Sequence, residues 1–181
     1  MFKTFKIKDI FYKTSKPAKK KSDVSLDRNA TCSLPLLSAK HGNNGIMYYG
    51  RREDFDIYNN CLGIVSDGAA ASGDVYVYTQ DIGLFYGAYI IKPMETTTSE
   101  NILLYMQAAL YKAIKPKFSY YVKAQWDRVK DLSIVLPIND NGTIDYDYME
   151  KFISETKQTI VAEYKNRIDK IIEILDNTAQ H

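Results

Sequence analysis

Closely spaced lysines are the first side chains in this sequence whose type and spacing point to chemistry. Five of them fall between residues 13 and 21: Lys13, Lys16, Lys19, Lys20 and Lys21. On an exposed loop, each lysine that neutralises a phosphate releases counterions, which adds affinity for a nucleic acid of any base sequence. A basic surface that faces only water would have the same composition, and this alternative is open.

A turn sequence that contains two amides follows at residues 40–45. An asparagine amide can form two hydrogen bonds with adenine, and an arginine can do the same with guanine. An ordinary hairpin turn uses the same residues, because asparagine and glycine tolerate a positive φ. Both interpretations are open, and the candidate nucleic-acid contacts of this region are Lys40, His41, Asn43, Asn44, Arg51 and Arg52.

Residues 117–126 form a third candidate segment, because they mix cations, aromatic rings and an amide. We expect Phe118 and Trp126 to be anchors in the core. The remaining polar and aromatic side chains could contact a nucleic acid, and they are Lys117, Tyr120, Tyr121, Lys123 and Gln125.

The charge distribution supports a polyanionic ligand for the N-terminal third. The net charge of the chain is +2, but residues 1–52 sum to +9 and residues 53–181 to −7. Such asymmetry indicates that one part of the molecule faces a polyanion while another faces water or protein. The sequence also contains 15 tyrosines, which can stack on bases or simply pack in sheets.

Residues that would assemble an active site are scarce. The two histidines are His41 and His181, and no phosphate-binding glycine motif occurs. We therefore expect no catalytic residue, metal or cofactor. An enzyme with a substrate pocket in the small-residue loop Ser66–Gly73 is a competing hypothesis.

The bulk properties are those of one globular domain of 181 residues with an appendage. No apolar run is long enough for a membrane span, and the lysines near the N-terminus do not resemble a secretory signal. We expect a cytoplasmic protein without a membrane segment. Cys32 and Cys61 are predicted to be free thiols, although one disulfide is formally possible.

Apolar periodicity predicts the elements that must position these residues. Residues 99–115 are predicted to form a buried helix, capped by Thr97 and Glu100. Together with the strands they indicate an α+β domain over residues 1–144, with a mixed, mainly antiparallel sheet. The predicted strands are Leu34–Ala39, Ile46–Tyr49, Cys61–Ser66, Val75–Tyr78, Leu84–Ile91 and Leu132–Pro137.

A long helix is predicted from residue 145 to about residue 176, within a second unit spanning residues 145–181. Its apolar residues repeat at intervals of three and four, the spacing of a coiled coil. Such a seam needs a partner, unless the helix folds flat onto its own domain. The seam comprises Met149, Ile153, Thr156, Ile160, Tyr164, Ile168, Ile171 and Leu175.

The order of several short motifs resembles the target-recognition domain of type I restriction–modification specificity subunits and of related BcgI-like specificity proteins. The segments that carry the resemblance span most of the chain. They are Leu34–Ala39 with Asn43-Asn44-Gly45, Val65–Gly68, Phe85-Tyr86, Lys117–Tyr120 with Trp126, and Leu136-Pro137 before Asn141-Gly142 and the long helix. Tyr121 and Val122 depart from the family, which often has glycine and a basic residue there.

The resemblance implies a role and partners. Such subunits bind double-stranded DNA, do no catalysis, and dock an adenine methyltransferase subunit and a restriction subunit. With one recognition domain and one spacer helix, this chain corresponds to half a subunit. We expect two copies to pair their helices antiparallel and to read an interrupted palindrome. A fragment of a longer subunit, and a protein-interaction adaptor that acts through its helix, are the alternatives.

Overall fold

The computed structural model describes residues 1–14, 24–95 and 98–179, with side chains up to residue 175. In these residues the α-helices are α1 (Glu100–Ile114), α2 (Trp126–Val129) and α3 (Tyr146–Ala179). The strands are β1 (Phe2–Lys6), β2 (Phe11–Lys13), β3 (Val24–Ser25), β4 (Leu34–Leu37), β5 (Ile46–Gly50), β6 (Ile57–Tyr58), β7 (Cys61–Val65), β8 (Val75–Tyr78), β9 (Ile82–Leu84), β10 (Ala88–Pro93) and β11 (Ser133–Pro137).

The described strands form one sheet in the order β2-β10-β7-β8, a second in the order β3-β5-β4-β9-β6, and the pair β1-β11. All neighbours are antiparallel except β4 and β9, which are parallel. The predicted α+β fold with a mixed, mainly antiparallel sheet is therefore confirmed.

Helix α1 is the buried helix that the sequence predicts. Leu103, Met106, Leu110 and Ile114 recur along one face, are fully buried, and join a core cluster with side chains of β2, β7 and β10. The cap differs from the prediction. The hydroxyl of Ser99 accepts the bond from the Ile102 N–H, at 3.2 Å, so the helix begins at Glu100, while Thr97 lies outside the described residues.

The prediction of one strand over Leu84–Ile91 is wrong. β9 ends at Leu84 in the five-stranded sheet, and β10 begins at Ala88 in the four-stranded sheet. Between them Gly87 has a φ of +66°, and a Cβ at Gly87 would lie 2.7 Å from the Cβ of Ala39. The glycine lets the chain change sheets within three residues, which an apolar run does not reveal.

Helix α3 is about 50 Å long at ~1.5 Å per residue. Met149 is fully buried and Ile153 is half-buried, but every residue from Glu155 to Leu175 is exposed. The alternative that this helix folds flat onto its own domain is therefore wrong beyond its first turns.

The sequence predicted that Cys32 and Cys61 are thiols and that the chain has no membrane segment. Cys32 and Cys61 are both buried and are not joined by a disulfide, and burial raises the pKa of the Cys61 thiol to about 12. Among the described residues, none of the helices combines the length and the apolar character that crossing a lipid bilayer requires.

Candidate nucleic-acid interface

Several loops meet at one end of the four-stranded sheet. β7 ends there, β8 and β10 begin there, and the N–H of Thr14, just after β2, donates to the Ile90 carbonyl at 3.1 Å. We call this surface the loop end. In the described residues it comprises the segments 40–45, 66–74, 85–87 and 115–125.

Asp74 holds three of these segments together. Its carboxylate, which is 2% exposed, lies 2.6 Å from the Lys115 Nζ and 2.7 Å from the His41 Nδ1. The Tyr76 hydroxyl donates to the same carboxylate at 3.1 Å. A buried carboxylate is stable only with such partners, so this Asp74 cluster of Asp74, His41, Tyr76 and Lys115 fixes the loops relative to α1.

The small-residue loop, Ser66–Gly73, is packed against Lys115 and Ala124 rather than open to solvent as a pocket. Besides Asp74, Lys115 donates to the carbonyls of Ala70 at 2.6 Å and Ser72 at 3.4 Å. The buried hydroxyl of Ser72 accepts from the Ala124 N–H at 3.1 Å. The side chain of Lys115 therefore occupies the space around this loop, which weighs against a substrate pocket there.

The turn from Gly42 to Gly45 has a positive φ at four consecutive residues: 73°, 45°, 49° and 69°. The Gly42 N–H donates to the Tyr76 hydroxyl at 2.9 Å, and the Tyr78 hydroxyl donates to the Asn44 carbonyl at 2.5 Å. Asparagine and glycine are the residues that tolerate this backbone. The segment is thus a turn, anchored by hydrogen bonds with two tyrosines of β8, and its contact with a nucleic acid stays a prediction.

The two amides of the turn have different surroundings. The Asn43 amide donates to the Ile46 carbonyl at 2.9 Å, so it is used inside the turn. Both residues are exposed. They differ in that Asn43 already uses an amide N–H within the turn, and contact of either residue with a base stays a prediction.

The third predicted segment also lies at the loop end. Phe118 and Trp126 pack against the core, as predicted, and the Trp126 ring lies 6.1 Å from that of Tyr89. A turn closed by the Ser119 N–H and the Val122 carbonyl leaves the intervening tyrosines in solvent, with Tyr121 90% exposed. The exposed candidates of this segment are Lys117, Tyr120, Tyr121 and Gln125.

Lys123 is paired instead of free. Its Nζ lies 2.8 Å from the Asp67 carboxylate. This hydrogen bond, with a second from the Gly68 N–H, holds the pKa of Asp67 below its ordinary value. Lys123 therefore links the third segment to the small-residue loop, and it would have to exchange partners to bind a phosphate.

The predicted basic residues are not all at this end. Lys13 lies at the loop end, with its Nζ 5.6 Å from the centre of the Tyr89 ring. The half-buried Lys40 also lies there, in segment 40–45. Arg51 and Arg52 follow the far end of β5, about 16 Å along the strand from the turn, and Arg52 forms an ion pair with Asp81. Lys16, Lys19, Lys20 and Lys21 lie outside the described residues.

Tyr86, in segment 85–87 of the loop end, and the neighbouring Tyr48 of β5 were not among the predicted nucleic-acid contacts, although Phe85-Tyr86 carried part of the resemblance. The Phe85 ring packs edge-on against two tyrosine rings, with its centre 5.4 Å from that of Tyr48 and 4.9 Å from that of Tyr86. Partial burial and a hydrogen bond with Tyr48 raise the pKa of Tyr86. Tyr86 precedes Gly87, where the chain changes sheets, and the Phe85-Tyr86 motif was the sequence signal that could have pointed to it.

Metal chemistry finds little support in the described part of the chain, where no group of three or more His, Cys, Asp or Glu side chains is arranged to hold an ion. The loop end instead presents amides, hydroxyls, aromatic rings and cations around one buried carboxylate. This chemistry suits binding of a polar, anionic surface.

Comparison with known proteins agrees with this geometry. A family model described as "Type I restriction modification DNA specificity domain" matches residues 1–168. The type II restriction enzyme specificity subunit S.BcgI of Heyndrickxia coagulans is 24% identical over 161 residues, which cover 87% of this chain and 44% of that protein.

Two solved structures share the fold. The S subunit of a type I restriction–modification system from M. genitalium has a TM-score of 0.62 and 13% identity, covering 96% of this chain and 42% of that one. The HsdS subunit of Thermoanaerobacter tengcongensis has a TM-score of 0.56 and 14% identity, covering 89% and 38%. This chain spans less than half the length of each relative. Because the family model matches nearly the whole sequence, the chain belongs to the family of type I restriction–modification DNA specificity domains.

Proposed function

We propose that this chain is a DNA specificity module that binds one half of a bipartite duplex target and carries no catalytic residues of its own. The loop end is the observation that carries the proposal. There, exposed amides, tyrosines and lysines from segments far apart in sequence share one surface around the Asp74 cluster. Membership of the specificity family supports double-stranded DNA as the ligand.

Helix α1 gives the molecule two separate ends. Its C-terminal side meets the Asp74 cluster through Lys115, and its N-terminal side meets α3, where Ser99 and Asn101 both donate to the Glu150 carboxylate. Fifteen helical residues separate these contacts by about 22 Å. DNA binding at one end thus leaves α3 accessible to protein partners at the other.

Protein partners are proposed for α3. An adenine methyltransferase subunit, and a restriction subunit where the system cleaves, would dock on this helix. A second copy of the chain would cover its exposed apolar stripe, which includes Ile160, Tyr164, Ile168, Ile171 and Leu175. A second half within one longer polypeptide would cover the same stripe. The adaptor alternative is not favoured, because the family match extends over the recognition domain as well as the helix.

Duplex affinity is expected to fall steeply with salt concentration, because lysine–phosphate contacts release counterions. Replacing Lys19, Lys20 and Lys21 with alanine should lower affinity for every sequence alike, and it should reduce the slope of log K against log salt by about 3 if each contacts one phosphate. Fluorescence anisotropy with specific and random duplexes measures both.

The matched control removes Lys151, Lys165 and Lys170, three exposed lysines of α3. This variant has the same net charge as the first but should keep the wild-type slope. A wild-type slope near zero would contradict the proposed DNA binding.

Asn44→Gly is expected to relax base preference at one position of the target by about 1–3 kcal/mol, the value of a bidentate amide contact. Glycine removes the amide but keeps the positive φ of this residue. Competition binding against a set of single-base variants measures the preference. Asn141→Gly removes an exposed amide from a turn outside the loop end, and it should change nothing. An unchanged preference in Asn44→Gly would exclude Asn44 from base contact.

A further inference from the structure

A groove of about 540 Å³ lies between α1, β11 and the first turns of α3. Apolar side chains line most of it, chiefly Phe2, Tyr105, Ala109, Val135, Phe152 and Ile153. Val135 is 56% exposed, and Phe2 and Phe152 are exposed as well. Large apolar side chains grouped on an open surface mark a site where another surface is buried.

The seam of α3 has a symmetry that suggests which surface this is. From Met149 to Leu175 the seam residues are separated by four, three, four, four, four, three and four positions, which reads the same in both directions. Two antiparallel copies can therefore align every seam residue with another seam residue, about a twofold axis near residue 162. In this alignment Ile160 meets Tyr164, while Ile171 and Leu175 fall at the level of Ile153 and Met149, which pack on their own domain.

The residues that flank the seam fit the same alignment at the groove. Phe152, next to seam residue Ile153, falls opposite Ile172, next to seam residue Ile171. Two like-charged pairs arise in this register, Lys157 with Arg167 beside the seam and Glu155 with Asp169 farther from it. The cost of the first is reduced because the Lys157 Nζ already lies 2.7 Å from the Asn101 Oδ1 and 3.8 Å from a Glu100 carboxylate oxygen.

We infer that the groove binds the C-terminal end of α3 from a second copy of this chain. Ile171, Ile172 and Leu175 would be the side chains that enter it. The inference rests on the proposed antiparallel pairing and adds a contact between that helix and the neighbouring globular domain. Met149 and Ile153 are already packed at this position, so the incoming side chains would lie over α1 and β11 instead of against α3 alone. Each domain would thereby hold the partner's helix end and fix its own orientation relative to the pair.

Val135→Lys tests the groove without removing any side chain of the helix. Because Val135 is exposed in the single chain, the substitution should leave the thermal unfolding midpoint of the dilute, monomeric protein unchanged and raise the dimer dissociation constant at least tenfold in sedimentation equilibrium. Leu26→Lys is the matched control, since Leu26 is 65% exposed and lies outside both the groove and α3. It should leave the dissociation constant unchanged.

Disulfide trapping tests the alignment. A mixture of full-length Phe152→Cys and Ile172→Cys chains should form a mixed disulfide on mild oxidation, while Leu175→Cys alone should not form one with its own copy. The native Cys32 and Cys61 are buried and should not interfere.

The outcomes separate this inference from the proposed function. A wild-type chain that dimerises while Val135→Lys behaves like Leu26→Lys overturns the groove contact alone. Self-crosslinking of Leu175→Cys overturns the antiparallel alignment. A wild-type chain that stays monomeric at tens of micromolar overturns the pairing and the groove contact together, whereas salt-dependent duplex binding tests the DNA proposal independently.

Discussion

Replacing Asp74 with alanine is expected to lower the free energy of unfolding by about 3 kcal/mol, because it leaves the largely buried Lys115 ammonium without its counter-charge. The turn from Gly42 to Gly45 should also lose its anchor, since His41 and Tyr76 both contact this carboxylate. Urea denaturation followed by circular dichroism measures the stability. Base preference should relax together with it, because the turn that carries Asn44 is no longer fixed.

Asp127→Ala is the matched control. Its carboxylate lies 2.8 Å from the Lys130 Nζ, much as Asp74 lies from Lys115, but its side chain is 86% exposed. Solvent screens an exposed pair, so stability should change little. Asp74→Asn separates the effect of the charge from the effect of the side-chain shape, because asparagine keeps the shape and removes the charge. If Asp74→Ala and Asp127→Ala had equal effects, the Asp74 cluster would not organise the loop end.

Replacing Ile160 with lysine is expected to weaken self-association about 100-fold or more. Ile160 meets Tyr164 close to the twofold axis of the proposed pair, so one substitution places two charges in the middle of the seam. Burying an unpaired charge costs several kcal/mol. Sedimentation equilibrium measures the dissociation constant, and unchanged thermal unfolding of the monomer is expected, because Ile160 is exposed in the single chain.

Asn166→Lys adds the same charge to the face of α3 away from the seam, and it should leave association intact. The Ile160→Lys chain should still bind a single half-site through its loop end while losing its preference for two half-sites at a set spacing. A dimer that tolerates lysine at Ile160 would contradict pairing through this stripe.

Local patterns were sufficient for much of the fold. Alternation over Val75–Tyr78 and the recurring apolar face of residues 99–115 predicted a strand and a buried helix that the structure contains. Such patterns can be read from neighbouring residues, because a helix or strand that buries one face repeats its apolar residues with its own period. The prediction of one strand over Leu84–Ile91 failed because no pattern of neighbouring residues indicates that Phe85–Gly87 carries the chain from one sheet to another.

The candidate site was less accessible to such reasoning. The sequence alone determined that the chain has basic and amide-rich segments and, over residues 145–176, a long helix with an apolar seam. Tertiary structure decided which segments meet: Asp74 joins His41 and Lys115, which are separated by 74 positions, while Arg51 and Arg52 lie at the far end of β5. It also decided that Asn43 is used within its turn and that the seam beyond Ile153 is uncovered. The physical reason is that composition and spacing follow from neighbouring residues, whereas burial and contact between distant residues depend on how strands pair and on which face each helix packs.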